Sequence, residues 1–304
     1  MPTTDQRLRT FQRLALACLL LLLAVTCLSA YLRHSAAGLG CAPWPACFGQ
    51  GERAAAPGVM AVAGQALTLA RMAHRVTATL ALLLIIAMVV LSLSTRPRQH
   101  QQGRLSLALL LLALSLSLLG VFTPGSRLPA VAMGNLLGGF VMLALAARLV
   151  ALPPARGLGW PAGAAVLLLL AHTAGGALVS ASQAGLACSD LRECLAQARA
   201  AGWEWQQLNP WREAGFAVGT PHADGALAQA LHRLGSLIVA PALAGLGWLA
   251  IRRGRRAEGL LLLALVASQV ALGLVIGSTG LPLVPVLLHN LGTAAMLALL
   301  FRLA

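Results

Sequence analysis

Apolar residues in this chain come in unbroken runs rather than at alternating or helical-face spacing. Such runs lie at about 14–32, 72–94, 105–122, 130–150, 161–182, 227–251, 259–277 and 283–303. Each is roughly twenty residues long, and a helix rising about 1.5 Å per residue then crosses a hydrocarbon core of about 30 Å. No water is present there to satisfy backbone N–H and C=O groups, so each run must pair its own. The pattern predicts an all-α polytopic membrane protein with eight transmembrane helices. The first run follows Arg7, Arg9 and Arg13, as the apolar part of a signal peptide would. Its length, Leu14 to Leu32, and its recurrence as the fifth run favour a retained helix.

Composition agrees. Hydrophobic residues make up 59% of the 304 and charged residues 10%, against about 25% charged in soluble domains. The net charge of +14 rests on 22 basic residues, all arginine. Nucleic acid is not the expected partner, because the arginines cluster between apolar runs. Arg7, Arg9 and Arg13 precede the first; Arg96, Arg98 and Arg104 follow the second; Arg252, Arg253, Arg255 and Arg256 follow the sixth. The positive-inside rule makes these alternate segments cytoplasmic, with both termini inside. The long loops at about 33–71 and 183–226 then face outward, and Trp44, Trp203, Trp205 and Trp211 suit the interface. Arginine without lysine, amid abundant Ala, Leu and Gly, fits a GC-rich bacterial genome. The expected location is the bacterial inner membrane, with the lipid bilayer as partner.

The two halves repeat. Ala24 to Cys47 aligns without a gap on Ala171 to Cys194, an offset of 147 residues. Each unit holds four spans and one long outer loop. An even number of spans gives both copies the same orientation, related by an axis along the membrane normal. The expected architecture is two tandem pseudo-symmetric four-helix bundles, residues 1–152 and 153–304.

Cys41 and Cys47 are separated by five residues, as are Cys188 and Cys194 in the second loop. Both pairs lie on the expected oxidising side, so two short-loop disulfides are predicted. A metal site would want further ligands, and no His or Cys clusters with either pair in the sequence. Cys18 and Cys27 fall inside the first span and read as buried apolar residues.

An ionisable side chain inside a span marks a functional site by default. His232, in His232-Arg233, and His289, in Leu287-Leu288-His289-Asn290, enter from the same face and reach a similar shallow depth. Two histidines on facing helices suit axial ligation of haem. The other reading is a pair of core histidines bonded to backbone carbonyls. His74, in His74-Arg75, is the first-half counterpart of His232, but the counterpart of His289 is Asn135. That leaves one imidazole and one open face. Asn135 suits a hydrogen bond to a ligand, a water or bound dioxygen; the bland reading is a lost ligand. His172 lies in the fifth span before Gly175 and Gly176, and either packs against a macrocycle or bonds a helix carbonyl. Arg75 and Arg233 either meet haem propionates or snorkel to the interface. Arg71 lies one turn before His74, where the second half has Gln229.

Taken together, Arg33, Gly38-Leu39-Gly40-Cys41-Ala42-Pro43-Trp44-Pro45-Ala46-Cys47-Phe48-Gly49, His74-Arg75, Leu136-Leu137-Gly138-Gly139, His232-Arg233 and His289-Asn290 resemble the heme A synthase family of bacterial and mitochondrial inner membranes. The resemblance spans nearly the whole chain. It implies oxidation of a ring methyl of heme O to a formyl group, giving heme A for cytochrome oxidase, with dioxygen as oxidant. It further implies a heme b held by His232 and His289 in the second half. In the first half it implies heme O as substrate, with His74 as an iron ligand and Asn135 and Arg71 beside the chemistry. A heme O synthase and an electron donor are the implied partners, and the Cys41–Cys47 pair is implied to assist activity or haem transfer. The chain departs from the family's usual pattern twice. Arg71 stands where the family usually carries Glu, and Asn135 where it carries His. A haem b membrane protein without synthase activity, serving electron transfer, haem handling or oxidase assembly, is the alternative reading. A transporter built from parallel repeats is a third.

Overall fold

The computed structural model describes residues 4–34, 57–94, 100–123, 126, 128–151, 157–212 and 225–304. Cys41, Cys47, Trp44, His222, Arg96 and Arg98 lie outside the described residues, and so does the expected Cys41–Cys47 disulfide. The described residues fold into helices: α1 Thr4–His34, α2 Pro57–Ser94, α3 His100–Phe122, α4 Pro129–Val150, α5 Trp160–Ala181, α6 Leu191–Ala200, α7 Ala226–Arg252, α8 Arg256–Ser278 and α9 Leu283–Leu303. Among the described residues there is no strand. All but α6 are long and apolar enough to cross a membrane, with mean hydropathy from 1.8 to 2.8. The chain is a multi-pass membrane protein.

Local chemistry explains the boundaries. Pro129 opens α4 and Pro161 sits in the first turn of α5, where a missing N–H leaves no bond broken. Gly254, at φ 81°, turns the chain between α7 and α8. Hydroxyls within the spans donate back along their own helices, as Thr26 does to the Leu22 carbonyl at 2.9 Å and Thr173 to that of Leu169 at 2.7 Å. That satisfies them without water. One boundary differs from the hydropathy pattern. The second helix begins at Pro57, not near 72, because Ala- and Leu-rich sequence propagates a helix beyond the bilayer as well as within it.

The spanning helices close into rings. In the first, α1 packs on α2, α2 on α3, α3 on α4, and α4 back on α1. In the second, α5 packs on α7, α7 on α8, α8 on α9, and α9 back on α5. The rings meet through α4 against α9, flanked by α4 on α5 and α1 on α9. This is the contact set of a twofold axis between α4 and α9, relating α1 to α5, α2 to α7 and α3 to α8. Outward-facing Leu20, Leu83, Leu167, Ile238 and Leu274 stay exposed, as a lipid-facing surface requires.

Packing is uneven along the axis. Most of the largest fully buried side chains, among them Phe11, Ile85, Met88, Leu109, Leu149, Leu243, Leu262, Leu297 and Leu300, lie toward the arginine-rich end; Leu227, at the opposite end, and Phe140, at mid-span, are exceptions. Toward the end that carries the second cysteine loop, whole stretches hold no fully buried residue: 71–80 of α2, 114–122 of α3, 231–238 of α7, 270–278 of α8 and 283–293 of α9. Each ring is therefore sealed at one end and loosely filled at the other.

A folded cap covers the second ring at that end. The region expected to be loop contains α6 and short 3-10 turns at Ala184–Leu186 and Trp205–Leu208. Asp190 caps α6 by accepting from the Glu193 amide at 2.8 Å. Cys188 is disulfide-bonded to Cys194, with Cα atoms 5.1 Å apart. Both cysteines are buried in a small apolar cluster with Leu178, Val179, Ala226 and Ala230. The Ala130 amide at the start of α4 donates to the Pro210 carbonyl at 2.8 Å, so the cap also touches the first ring. Closing so short a loop stabilises the cap by about 2 kcal/mol in the chain-entropy account. Cys188→Ser should therefore speed proteolysis and amide exchange across 183–212 while leaving the spans protected.

Glu193 accepts from the amide and hydroxyl of Ser189, and those bonds hold its carboxyl below the usual range. A depressed carboxylate supports the fold above its unfolded pKa, and that support is lost as pH falls through the lower folded value. Protection of the Leu191–Ala200 amides, taken relative to their intrinsic exchange rates at each pH, should fall on acidification, and Glu193→Gln should remove that sensitivity.

Candidate functional site

The second ring gathers three imidazoles at its loosely filled end. His172 comes from α5, His232 from α7 and His289 from α9. The rings of His172 and His232 are stacked, with centroids 4.4 Å apart and planes 13° from parallel. Missing side chains make the approach feasible. A Cβ on Gly176 would lie 2.8 Å from Cε1 of His232, and one on Gly235 would lie 3.0 Å from Nδ1 of His172. Gly273 of α8 faces His289, 3.9 Å from its Cε1 by the same measure.

Neither Nδ1 of His232 nor that of His289 has a hydrogen-bond partner, although both atoms are buried. Orphaned polar atoms are costly inside a membrane protein, and a pair of them on facing helices asks for a bound group. The alternative of histidines bonded to backbone carbonyls lacks its bonds at these two atoms, although the His232 ring meets the backbone of His172. Among the described residues no three His, Cys, Asp or Glu side chains gather at metal-binding distance. A pair of imidazoles leaves the remaining coordination to the bound group itself. One turn beyond His289, the Thr293 hydroxyl lies 3.0 Å from the His289 carbonyl and 3.1 Å from Oε1 of Gln269. That fastens α9 to α8 beside the imidazole. The Gln269 side chain lies against Gly292, where any larger residue would collide with it.

The arginine after His232 is engaged with the cap. Arg233 donates to the carbonyls of Ser189 at 3.1 Å and Cys188 at 3.2 Å. Gln229 donates to the Gly185 carbonyl at 2.9 Å. The segment around the disulfide is thus pinned to the first two turns of α7, on either side of His232 in the sequence. Leu281, at φ 59°, packs on Gly185 from the α8–α9 connection. The same connection is tied to the first ring, because the buried His34 donates to the Leu281 carbonyl at 3.1 Å.

The first ring is sparser. His74 and Asn135 are half-buried on α2 and α4, whereas Arg71 and Arg75 are exposed on α2. The guanidinium held near His74 is also that of Arg33, at the end of α1, which donates to Ser29 Oγ at 2.7 Å. Neither ion pair among the described residues involves Arg33; both centre on Glu258 at the opposite end. Thr26 on α1 lies across from Gly139 on α4, bringing these two helices close.

Two residues acquire a place that sequence reasoning did not assign. His172 had its signal in the neighbouring Gly175 and Gly176, which open α5 to an aromatic ring. Arg33 entered only as part of a motif, although a guanidinium at a span's end, one turn after a serine, can be held on its own helix. Compared with known families, residues 12–301 match the family model of a cytochrome oxidase assembly protein. Among curated proteins, no significant match exists.

Proposed function

The chain belongs to this family, COX15-CtaA, cytochrome oxidase assembly proteins, and from that premise we propose that it is an oxidoreductase of heme A biosynthesis. In this reading it oxidises the ring methyl of heme O to a formyl group, using dioxygen and electrons from a donor. The observation that carries it is the pair of buried, unpartnered Nδ1 atoms of His232 and His289 at the loosely filled, capped end of the second ring.

Residues 153–304 form the cofactor half. His232 and His289 would hold a b-type haem, and Gly176 and Gly273 leave room for their rings. Such a haem supplies one-electron transfer when bound. Arg233 and Gln229 hold the cap over it and keep lipid and water out. Residues 1–152 form the substrate half. His74 would be the protein ligand to heme O, Asn135 would orient a small oxygen ligand by hydrogen bonding, and Arg33 would meet a propionate. Arg71 and Arg75 remain candidates for propionate contact at the rim. The arginine-rich end faces the cytoplasm of a bacterial inner membrane, and the cysteine loops face outward. A heme O synthase is the natural supplier of substrate.

A second reading, a haem b protein of oxidase assembly without synthase activity, is favoured by Asn135 and Arg71 standing where the family carries His and Glu. Haem extraction and chromatography from cells co-expressing this protein and a heme O synthase separate the two. Heme A among the products supports the first reading; haem b alone supports the second.

A further inference from the structure

The stack of His172 on His232 has no counterpart in the first ring, and the repeat shows what was changed to make it. The 147-residue offset that aligns α1 with α5 puts Val25 opposite His172 and Ser29 opposite Gly176. Matching His74 to His232 puts Thr77 opposite Gly235. So in the second ring an imidazole is added, and on each of the two helices a side chain is missing where the rings need space. A Cβ at Gly176 would strike His232, and one at Gly235 would press on His172. Three separate positions serve one contact.

We infer that His172 is a positioning residue that fixes the ring plane of His232, so that the axial imidazole is presented in one orientation. This rests on the reading of His232 and His289 as haem ligands. Nδ1 of His232 has no hydrogen-bond partner, so that nitrogen does not set the ring's rotation, and the polar contact the ring does make is with the backbone of His172 itself. The parallel ring of the same residue, 4.4 Å away, adds the restraint of stacking. The two rings and the glycine backbones around them form a slot in which the His232 plane cannot turn without displacing His172. Orientation of an axial imidazole governs the electronic asymmetry of low-spin ferric iron, so the restraint has a spectroscopic signature apart from turnover.

The test is electron paramagnetic resonance of the purified full-length protein as wild type, His172→Ala, His172→Phe and Gly235→Ala. Haem stoichiometry is measured for each and reports folding. His172→Ala and Gly235→Ala are expected to keep the haem while the largest g value shifts and the line broadens. His172→Phe restores a flat ring and should return the signal close to wild type. Wild-type g values in His172→Ala, at full haem content, would overturn the inference and leave the ligand assignment standing. A low-spin signal that survives His232→Ala and vanishes in the double variant His172→Ala/His232→Ala would make His172 a ligand and overturn the positioning role. A wild-type protein without haem would overturn both together.

Discussion

His232→Ala and His289→Ala are each expected to strip the purified protein of its low-spin haem signal. Ligation from two sides requires both imidazoles, and each comes from a different helix, so neither can replace the other. Changing a residue that only supports a metal ligand costs about 10- to 100-fold in affinity, and losing the ligand itself should exceed that. The scaffold should tolerate both changes. Neither histidine belongs to the fully buried core, which lies toward the arginine-rich end around Leu243, Leu297 and Leu300. Circular dichroism should therefore remain helical while the optical signal disappears. Arg233→Gln is the informative control. It loosens the cap by removing the bonds to the carbonyls of Cys188 and Ser189, without touching either imidazole. Its haem should be retained and become more accessible to reductant. An unchanged spectrum in either histidine variant would remove the assignment.

The eight spans are legible in the sequence because lipid imposes one requirement on all of them, an uncharged run with its backbone paired internally. Hydropathy is blind where lipid is absent, which is why the early start of α2 at Pro57 and the presence of α6 are not readable from it. The ring closure follows from the repeat, since each copy must bury the same helix faces. His232 and His289 stand out in the sequence individually, because a titratable group within a span needs a reason. The stack does not. His172 and His232 are 60 residues apart, and their contact depends on how α5 and α7 are rotated about their axes. Apolar runs that are hydrophobic on every side carry little rotational information. Arg233 illustrates the same limit. Its type and position suit a propionate equally well, and only the folded cap supplies carbonyls within reach.

Asn135 and His74 set the second large effect: heme A yield in a strain lacking its own synthase, with heme O available, compared among wild type, His74→Ala and Asn135→His. The proposed substrate half offers one imidazole, on α2, and an amide at the matching place on α4. An iron with one protein imidazole keeps a face for oxygen, whereas a second imidazole closes it. Arg71 cannot serve as the base that a carboxylate would be, because a guanidinium is not deprotonated in proteins. Its exposed position on α2 also sets it apart from Arg33, the guanidinium that Ser29 holds near His74. In the proposed reaction, protons would then travel by water or by a group other than Arg71. His74→Ala should reduce heme A at least 100-fold, as expected for loss of a group on which the chemistry depends. The second-half haem should remain spectroscopically intact, since His74 lies in the other ring. Asn135→His is expected to lower the yield as well, by occupying the face left for oxygen. Undiminished heme A in His74→Ala removes that histidine from the reaction. A rise in heme A on Asn135→His shows that the second imidazole was a lost ligand rather than a deliberate opening. Wild-type protein that carries its second-half haem yet makes no heme A decides for the haem b protein of oxidase assembly.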